Sequence, residues 1–379
     1  MPRWEAVFTL AVFALPALAL PLSVVGPADT SDLNRAPTPL PALSLSRFGE
    51  DAYRQQWSEA LSDRFAWRAP ISETHAKAHR AVFDESPDSQ VRLGLEGWLF
   101  YTPALDEPTR WPEPDAQRFR SGVQAVKTRV EAQGRTFRMA VAPHKPSLYP
   151  EHLRPADRPK ATVGAQRRDA LLRGVRADPV AGYIDLFPAM AAAKARYDAP
   201  LYLYADSHWN DLGAAVAAKM LVGSLAAALW RDADLVRNGV QTGEQDLARL
   251  AHLPGGDIPS WRVDRAGVRV TTIPCRPPDC RQVEFYETRS DGPRLLPPIA
   301  AVIDSYGYNL RDLLPPYFES VALIHYNGAD TSFARAKLAD AEIVYIQVVE
   351  RGMGWVSPRT PMGAWSAAYD ALKTPKATP

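Results

Sequence analysis

The sequence predicts an α/β fold: a mostly parallel sheet with helices on both faces, a three-layer sandwich. Two observations carry this. Helical and strand-like stretches alternate along most of the chain, and strand-like ones such as PIAAVID (298–304) and EIVYIQVV (342–349) are apolar throughout. Strands buried on both faces read that way, whereas half-exposed strands alternate. A third observation limits the elements: 35 prolines in 379 residues, against a usual share of about 5%, imply stiffened loops and few very long helices.

The elements follow in order. MPRWEAVFTLAVFALPALALPLSVVGPADTS has an arginine at its front and no charged residue from Ala6 to Pro27. That length lies at the border between a signal peptide and a spanning helix. Residues 1–27 are read as an export signal retained as a membrane anchor, which puts the chain after about residue 30 outside the cytoplasm. Residues 28–46 read as a Pro/Ser/Thr-rich tether, and 47–360 as the main domain. The domain opens with two helical pieces broken at Pro70, Tyr53, Trp57 and Leu61 standing at helical spacing. VRLGLEGWLFY (91–101) reads as a strand with a turn at Gly97. Phe119, Val123, Val126 and Val130 form a helix face ending near Gly134, and FRMAVAP (137–143) follows as a buried strand.

Next come a helix near 163–177, a short strand GYIDLF (182–187), a helix near 188–197 and a strong helix over 210–229. In the last, Asn210 can cap, Asp211 suits the positive helix end, and Leu212, Val216 and Met220 share a face. Residues 230–297 read as a loop-rich insertion with weak strand patterns, GVRVTTI and QVEFYE. The rhythm resumes with the strand 298–304, a helix over LRDLLPPYF, a strand ESVALIHY (319–326), a helix FARAKLAD and the strand 342–349. Residues 361–379 read as a C-terminal tail.

A formal net charge of +1 supplies no positive field to attract phosphates, so nucleic acid is not an expected partner. The two cysteines, Cys275 and Cys280 in CRPPDC, flank a short proline-containing loop. A small disulfide suits them, and disulfides persist outside the reducing cytosol. Separate free thiols are the alternative.

Working residues in open α/β sheets collect at the carboxyl ends of strands. Those ends carry His144-Lys145, Asp206-Ser207-His208, Asp304-Ser305-Tyr306-Gly307 and Glu350-Arg351. A serine on a strand-to-helix turn exposes its hydroxyl, and the N–H groups after it can hold an oxyanion. The hydroxyl needs a base, and the base a carboxylate to fix its tautomer. Asp206 and His208, two apart, point the same way if their segment is extended. Plainer readings stand beside each: Ser305 as a helix cap, Asp206 and His208 as loop polars or metal ligands, Asn210 as a cap, Trp209 as packing, Asp304 as a turn stabiliser. His144 and Lys145 could meet a substrate, Arg351 could clamp an anionic sugar or pair with Glu350, and His252 and His325 have no site context.

YADSHWNDLGA (204–214) resembles the D-x-H-W-N-x-x-G segment of the AlgX/AlgJ family, the SGNH-hydrolase-like alginate O-acetyltransferases. AVIDSYGYNLRDLLPPYFESVALIHYN (301–327) is similar to that family's nucleophile block. DRFAWRAPI, EGWLFY, VAPHKPSLYPEHL and YIQVVERGM match other segments in the same order, from about Phe48 to Arg351. The resemblance implies an SGNH-hydrolase-like (flavodoxin-like) fold, Ser305 as nucleophile, His208 as general base and Asp206 as its orienting acid, with no metal or organic cofactor. Tyr306, Gly307, Asn210, Lys145 and Arg351 are the candidates around the oxyanion and substrate. It also implies a secreted polysaccharide as acceptor and acetyl relayed by a membrane-bound O-acyltransferase. An acetylesterase and a silent polysaccharide-binding scaffold are the alternatives. The chain departs from the pattern at Ile303, where the family has glycine before the Asp-Ser pair.

Overall fold

The computed structural model describes residues 38–47, 49–63, 68–275, 282–363 and 365–377. The expected anchor at 1–27 lies outside them. Among the described residues no helix is long and apolar enough to cross a membrane. The chain divides into two compact units, one comprising Met1–Val91 with Ala248–Pro254, the other Arg92–Leu247 with Gly255–Pro379.

In the first unit, helices span Asp51–Asp63 and Arg68–Phe83. Pro70, expected to separate them, instead lies in the first turn of the second helix. A proline is tolerated there because a first-turn N–H has no intrahelical acceptor to lose. The described end of the tether is tied down: the Tyr53 hydroxyl donates to Ala42 O at 2.7 Å, and Thr38 N–H donates to Asp63 Oδ2 at 2.8 Å.

The second unit is built on a sheet. After the hairpin β1 (Val91–Leu93) and β2 (Leu99–Tyr101) come β3 (Thr136–Ala142), β4 (Tyr183–Ile184), the pair β5 (Leu235–Gly243) and β6 (Gly256–Val263), β7 (Val268–Thr272), β8 (Val283–Ser290), β9 (Ile299–Ile303), β10 (Ser320–His325) and β11 (Ile343–Val349). Seven form one sheet in the order β4-β3-β11-β9-β10-β8-β7. The first five run parallel, as the apolar runs predicted, while β8 and β7 add on antiparallel. The sheet is therefore mixed. The two antiparallel strands are the weak patterns of the insertion, which extends the sheet rather than looping away from it. Their outward residues sit at the sheet's edge, so their apolar pattern is diluted.

Alternate residues of β3 feed opposite cores. Ala140 and Ala142 face one, with Leu186, Met190 and Leu221 from the helices Leu186–Arg196 and Asp211–Leu225. Met139 and Val141 face the other, with Phe119, Val123, Leu171 and Leu338 from helices Ala116–Glu131, Arg158–Ala177 and Ser332–Asp340. This is the three-layer arrangement. Met362, Ala368, Ala371 and Leu372 belong to the second core, so most of the stretch read as a tail is packed. VRLGLEGWLFY forms β1 and β2 with the expected turn at Gly97, where Glu96 and Gly97 both take positive φ. One element differs from expectation: LRDLLPPYF forms 3-10 turns instead of an α-helix. Pro315 and Pro316 withdraw two N–H donors that a helix through this stretch would need, while Leu314 itself keeps helical backbone.

Candidate active site

The site assembles where β9 ends. Asp304, buried, spends both carboxylate oxygens on backbone: Oδ1 accepts Tyr306 N–H at 3.0 Å and Oδ2 accepts Val349 N–H, at the end of β11, at 2.7 Å. Asp304 thus fixes the turn that presents Ser305, as the plain reading held. Two segments away, Tyr204–His208 is pinned by bonds to its backbone. Lys145 Nζ donates to Leu203 O and Tyr204 O at 2.9 and 3.0 Å, and Ala205 N–H donates to Gln245 Oε1 at 3.1 Å. Asn210 caps the helix that follows, its Oδ1 accepting Gly213 N–H at 3.0 Å.

These placements bring three expected groups into line. His208 Nε2 lies 2.8 Å from Ser305 Oγ, and His208 Nδ1 lies 2.7 Å from Asp206 Oδ1. With Nδ1–H donating to the carboxylate, Nε2 carries the lone pair facing the hydroxyl; this tautomer is assigned from the hydrogen-bond pattern. The Tyr306 ring flanks the imidazole at 4.9 Å, its hydroxyl donates to Ser207 O at 2.7 Å, and Trp209 Nε1–H donates to Tyr306 O at 2.8 Å. The His208 side chain keeps 25% of its surface exposed, so a substrate can reach the ring edge.

Burial alone would lower the His208 pKa, but the bond to Asp206 and the charges of Asp206, Asp246 and Asp304 turn the shift upward. For Asp206 burial pushes up, and the bonds and charge of His208 with the N–H of Asp246 outweigh it, holding the carboxyl well below the usual range. The pair is therefore a neutral or protonated imidazole against a committed carboxylate.

Asp246 is the residue that sequence reading missed. It lies in the insertion, 40 residues from Asp206, with no local pattern to mark it. Its Oδ1 accepts Ser207 N–H at 2.7 Å, its Oδ2 accepts the Ser207 hydroxyl, and its own N–H donates to Asp206 Oδ2 at 3.0 Å. Its Oδ2 is 3.6 Å from His208 Nδ1. Burial and the Asp206 charge raise its pKa. Asp206, His208 and Asp246 also offer ligand atoms within 4.8 Å of one another. A cation on Nδ1 would replace the Asp206–His208 bond and leave Ser305 facing a ring nitrogen of changed basicity.

Of the surrounding candidates, several have other employment. Tyr306 N–H is taken by Asp304 Oδ1 and Gly307 N–H by Asp304 O at 3.0 Å, so neither is free for an oxyanion. Among the described residues the Ser305 N–H is the donor of that turn with no acceptor. Gly307 serves by lacking a side chain: a Cβ there would overlap Ile303. Asn210 is spent as the cap, its Nδ2 donating to Pro200 O at 2.8 Å. Lys145 is buried beneath the Asp206 segment, where desolvation lowers its pKa to about 7 against the pull of Asp206 and Asp246. It braces the loop rather than meeting substrate.

Glu350 pairs with Arg168 at 3.6 Å, not with Arg351. The Arg351 guanidinium sits 3.3 Å from His144 Nε2 and 5.7 Å above the Tyr101 ring. Burial raises the Asp304 carboxyl, and the Arg351 charge only partly opposes that. His325 stacks on Tyr308 and His252 lies in the first unit. Cys280 lies outside the described residues, and Cys275 is not a free thiol.

Residues 91–273 match the family model described as SGNH hydrolase-like domain, acetyltransferase AlgX. That segment, just under half of the chain, is what this chain shares with the AlgX/AlgJ family. The chain is 28% identical over 178 residues to the probable alginate O-acetylase AlgJ of Pseudomonas syringae pv. tomato, covering 45% of this chain and 43% of that protein. To its Pseudomonas aeruginosa counterpart it is 32% identical over 134 residues, covering 35% and 32%. The matched segment thus spans less than half the length of these curated relatives. The solved O-acetyltransferase domain of Pseudomonas putida AlgJ aligns at 19% identity and TM-score 0.45, over 70% of this chain and 92% of that one. Ser305 lies beyond the matched family segment, so its assignment rests on the geometry above.

Proposed function

We propose that the protein is an extracytoplasmic serine O-acetyltransferase that moves acetyl groups onto hydroxyls of a secreted polysaccharide. The observation that carries this is the continuous line Ser305 Oγ–His208 Nε2 (2.8 Å) and His208 Nδ1–Asp206 Oδ1 (2.7 Å). His208 takes the Ser305 proton as Oγ attacks the acetyl carbonyl carbon of an ester donor, and the tetrahedral oxyanion lies against the Ser305 N–H. Collapse expels the donor alcohol, which receives the proton back from His208, and leaves acetyl-Ser305. A sugar hydroxyl then gives its proton to His208 and attacks the acetyl group; His208 passes that proton to the departing Ser305 Oγ, which releases the sugar ester and restores Ser305. Asp206 holds the ring and stabilises the imidazolium at each step.

The names of the relatives, probable alginate O-acetylases, support acetyl transfer to a polysaccharide. The apolar leader supports an anchored, periplasmic or cell-exterior placement, and a Cys275–Cys280 disulfide fits that compartment. A membrane-bound O-acyltransferase is the proposed source of acetyl. Water in place of sugar makes the same acyl-enzyme an acetylesterase, a reading favoured by the exposed edge of His208.

A fluorophosphonate probe tests the core of the proposal. Labelling of Ser305 that disappears in S305A and H208A is the expected result; an unlabelled wild type would leave only a polysaccharide-binding scaffold. Turnover of an acetyl ester with and without oligosaccharide then separates transfer from hydrolysis by product.

A further inference from the structure

Acyl transfer adds a negative charge to a site already rich in them. Asp206, Asp246 and Asp304 all act on the His208 ring, and each tetrahedral intermediate places an oxyanion beside these carboxylates. Among the described residues the nucleophile turn has one donor without an acceptor, the Ser305 N–H. Fixed donors and positive charge aimed at a developing oxyanion are usually the largest single contribution to such a reaction. The site therefore calls for a cation close to the turn.

The strand ends carry Lys145 and Arg351, and their situations differ. Lys145 is buried beneath the Asp206 segment, its ammonium spent on Leu203 O and Tyr204 O. Arg351 is half-buried and follows β11, the strand beside β9 in the sheet. It stands two residues past Val349, whose N–H holds Asp304 Oδ2 at 2.7 Å. Its charge is felt on both sides of Ser305, at Asp304 and at Tyr306.

The groups that hold Arg351 are neutral. Its N–H donates to His144 Nε2 at 3.4 Å, and a guanidinium nitrogen lies 3.3 Å from the same atom. Its carbonyl accepts the Trp111 indole N–H at 3.1 Å, and its guanidinium sits above the Tyr101 ring. Burial and the Arg351 charge keep His144 uncharged, and among the described residues Arg351 has no carboxylate partner. A guanidinium offers five donors in a rigid fork, so the bond to His144 leaves most of them unspent. A partly buried cation without a counter-ion costs stability, a cost that chains accept at functional sites.

We propose that Arg351 is a catalytic residue that donates to the acetyl oxyanion in both half-reactions, beside the Ser305 N–H. This role belongs to the acetyl-transfer reading and falls with it. The carbonyl oxygen gains its charge first as Ser305 Oγ adds, and again as the sugar hydroxyl adds. Arg351 moves no proton at either stage, because a guanidinium stays protonated; proton transfer remains with His208.

Burst and steady-state kinetics on an acetyl ester of a coloured phenol test this, with methylboronic acid as a probe of the tetrahedral state. Ser305 Oγ adds to boron and its proton passes to His208, which gives an anionic tetrahedral adduct. R351M should lower kcat about 10²–10³-fold with KM within about threefold, slow both the burst and the steady phase, and weaken the boronate by a similar factor. R351K keeps the charge and loses the fork, so kcat and boronate affinity should fall together by only about tenfold. That variant decides the matter even if R351M does not fold. R351M with kcat within about threefold of the wild type overturns the proposal. A loss confined to KM or to the acceptor step overturns it in favour of an acceptor clamp, and in either variant a kcat loss with unchanged boronate affinity overturns it in favour of a structural brace. S305A in the same assay keeps the two readings apart. Turnover abolished in S305A and untouched in R351M removes Arg351 alone, whereas turnover unaffected by S305A removes acetyl transfer through Ser305 and the role of Arg351 with it.

Discussion

Two clusters at the carboxyl ends of this sheet each contain a serine, a histidine and a carboxylate. In one, His208 stands between Ser305 and Asp206. In the other, Ser147 Oγ donates directly to Glu350 Oε1 at 2.8 Å, His144 contributes only its backbone N–H to Glu350 Oε2 at 2.8 Å, and the His144 ring turns to Arg351. Burial and the Arg351 charge hold His144 well below the ordinary imidazole pKa, whereas Asp206 lifts His208 above it. The second cluster has a satisfied hydroxyl and no base. Nucleophilicity therefore follows the order of the wiring, not the residue types present.

The sharpest way to break that contrast is to remove members of each. S305A or H208A should lower acetyl-ester turnover about 10⁴–10⁶-fold, and D206N about 10⁴-fold, in steady-state assays. S147A should stay within about threefold, as expected for a residue that meets no reacting atom; a larger loss would mean the second cluster takes part. Next in size is a stability effect on the other side. E350A strips the acceptor from His144, Ser147 and Arg168, and should cost about 3–5 kcal/mol in denaturant unfolding, with Ser305 labelling kept below the melting point.

A smaller effect sharpens the first cluster. Asp246 holds Ser207 and faces Nδ1, so D246N should reduce kcat roughly tenfold by loss of charge on the imidazolium. It should also displace the pH profile. In the wild type the working form is neutral His208, so the rate falls with falling pH through a midpoint above the ordinary 6.5, because the folded ring is held protonated by its acids. Removing the Asp246 charge moves that midpoint down. A merely structural Asp246 would lower the rate and leave the midpoint in place.

Much of this was legible in the residues. Apolar runs located five parallel strands, and an Asp-x-His spacing with a strand-end serine, joined to the family resemblance, singled out the three groups that the structure lines up. The misses have physical reasons. β7 is the sheet's edge strand and β8 lies just inside it, and their half-exposed faces blur the period. Asp246 reaches the site through tertiary packing alone, so no spacing could reveal it. Asn210 takes the capping job that the sequence suggested first, whereas Lys145, expected to meet substrate, spends its ammonium on two carbonyls. Gly307 was a candidate around the oxyanion, yet what it supplies is room.

That room ties two positions together. With Ile303 leaning into the turn, position 307 has to stay bare, and Ala there should cost about 1–3 kcal/mol by overpacking. A glycine at 303 would empty the same pocket of space from the other side, so I303G should make G307A tolerable. The elbow beneath Ser305 thus tolerates bulk on one flank only, and these two positions set which flank carries it.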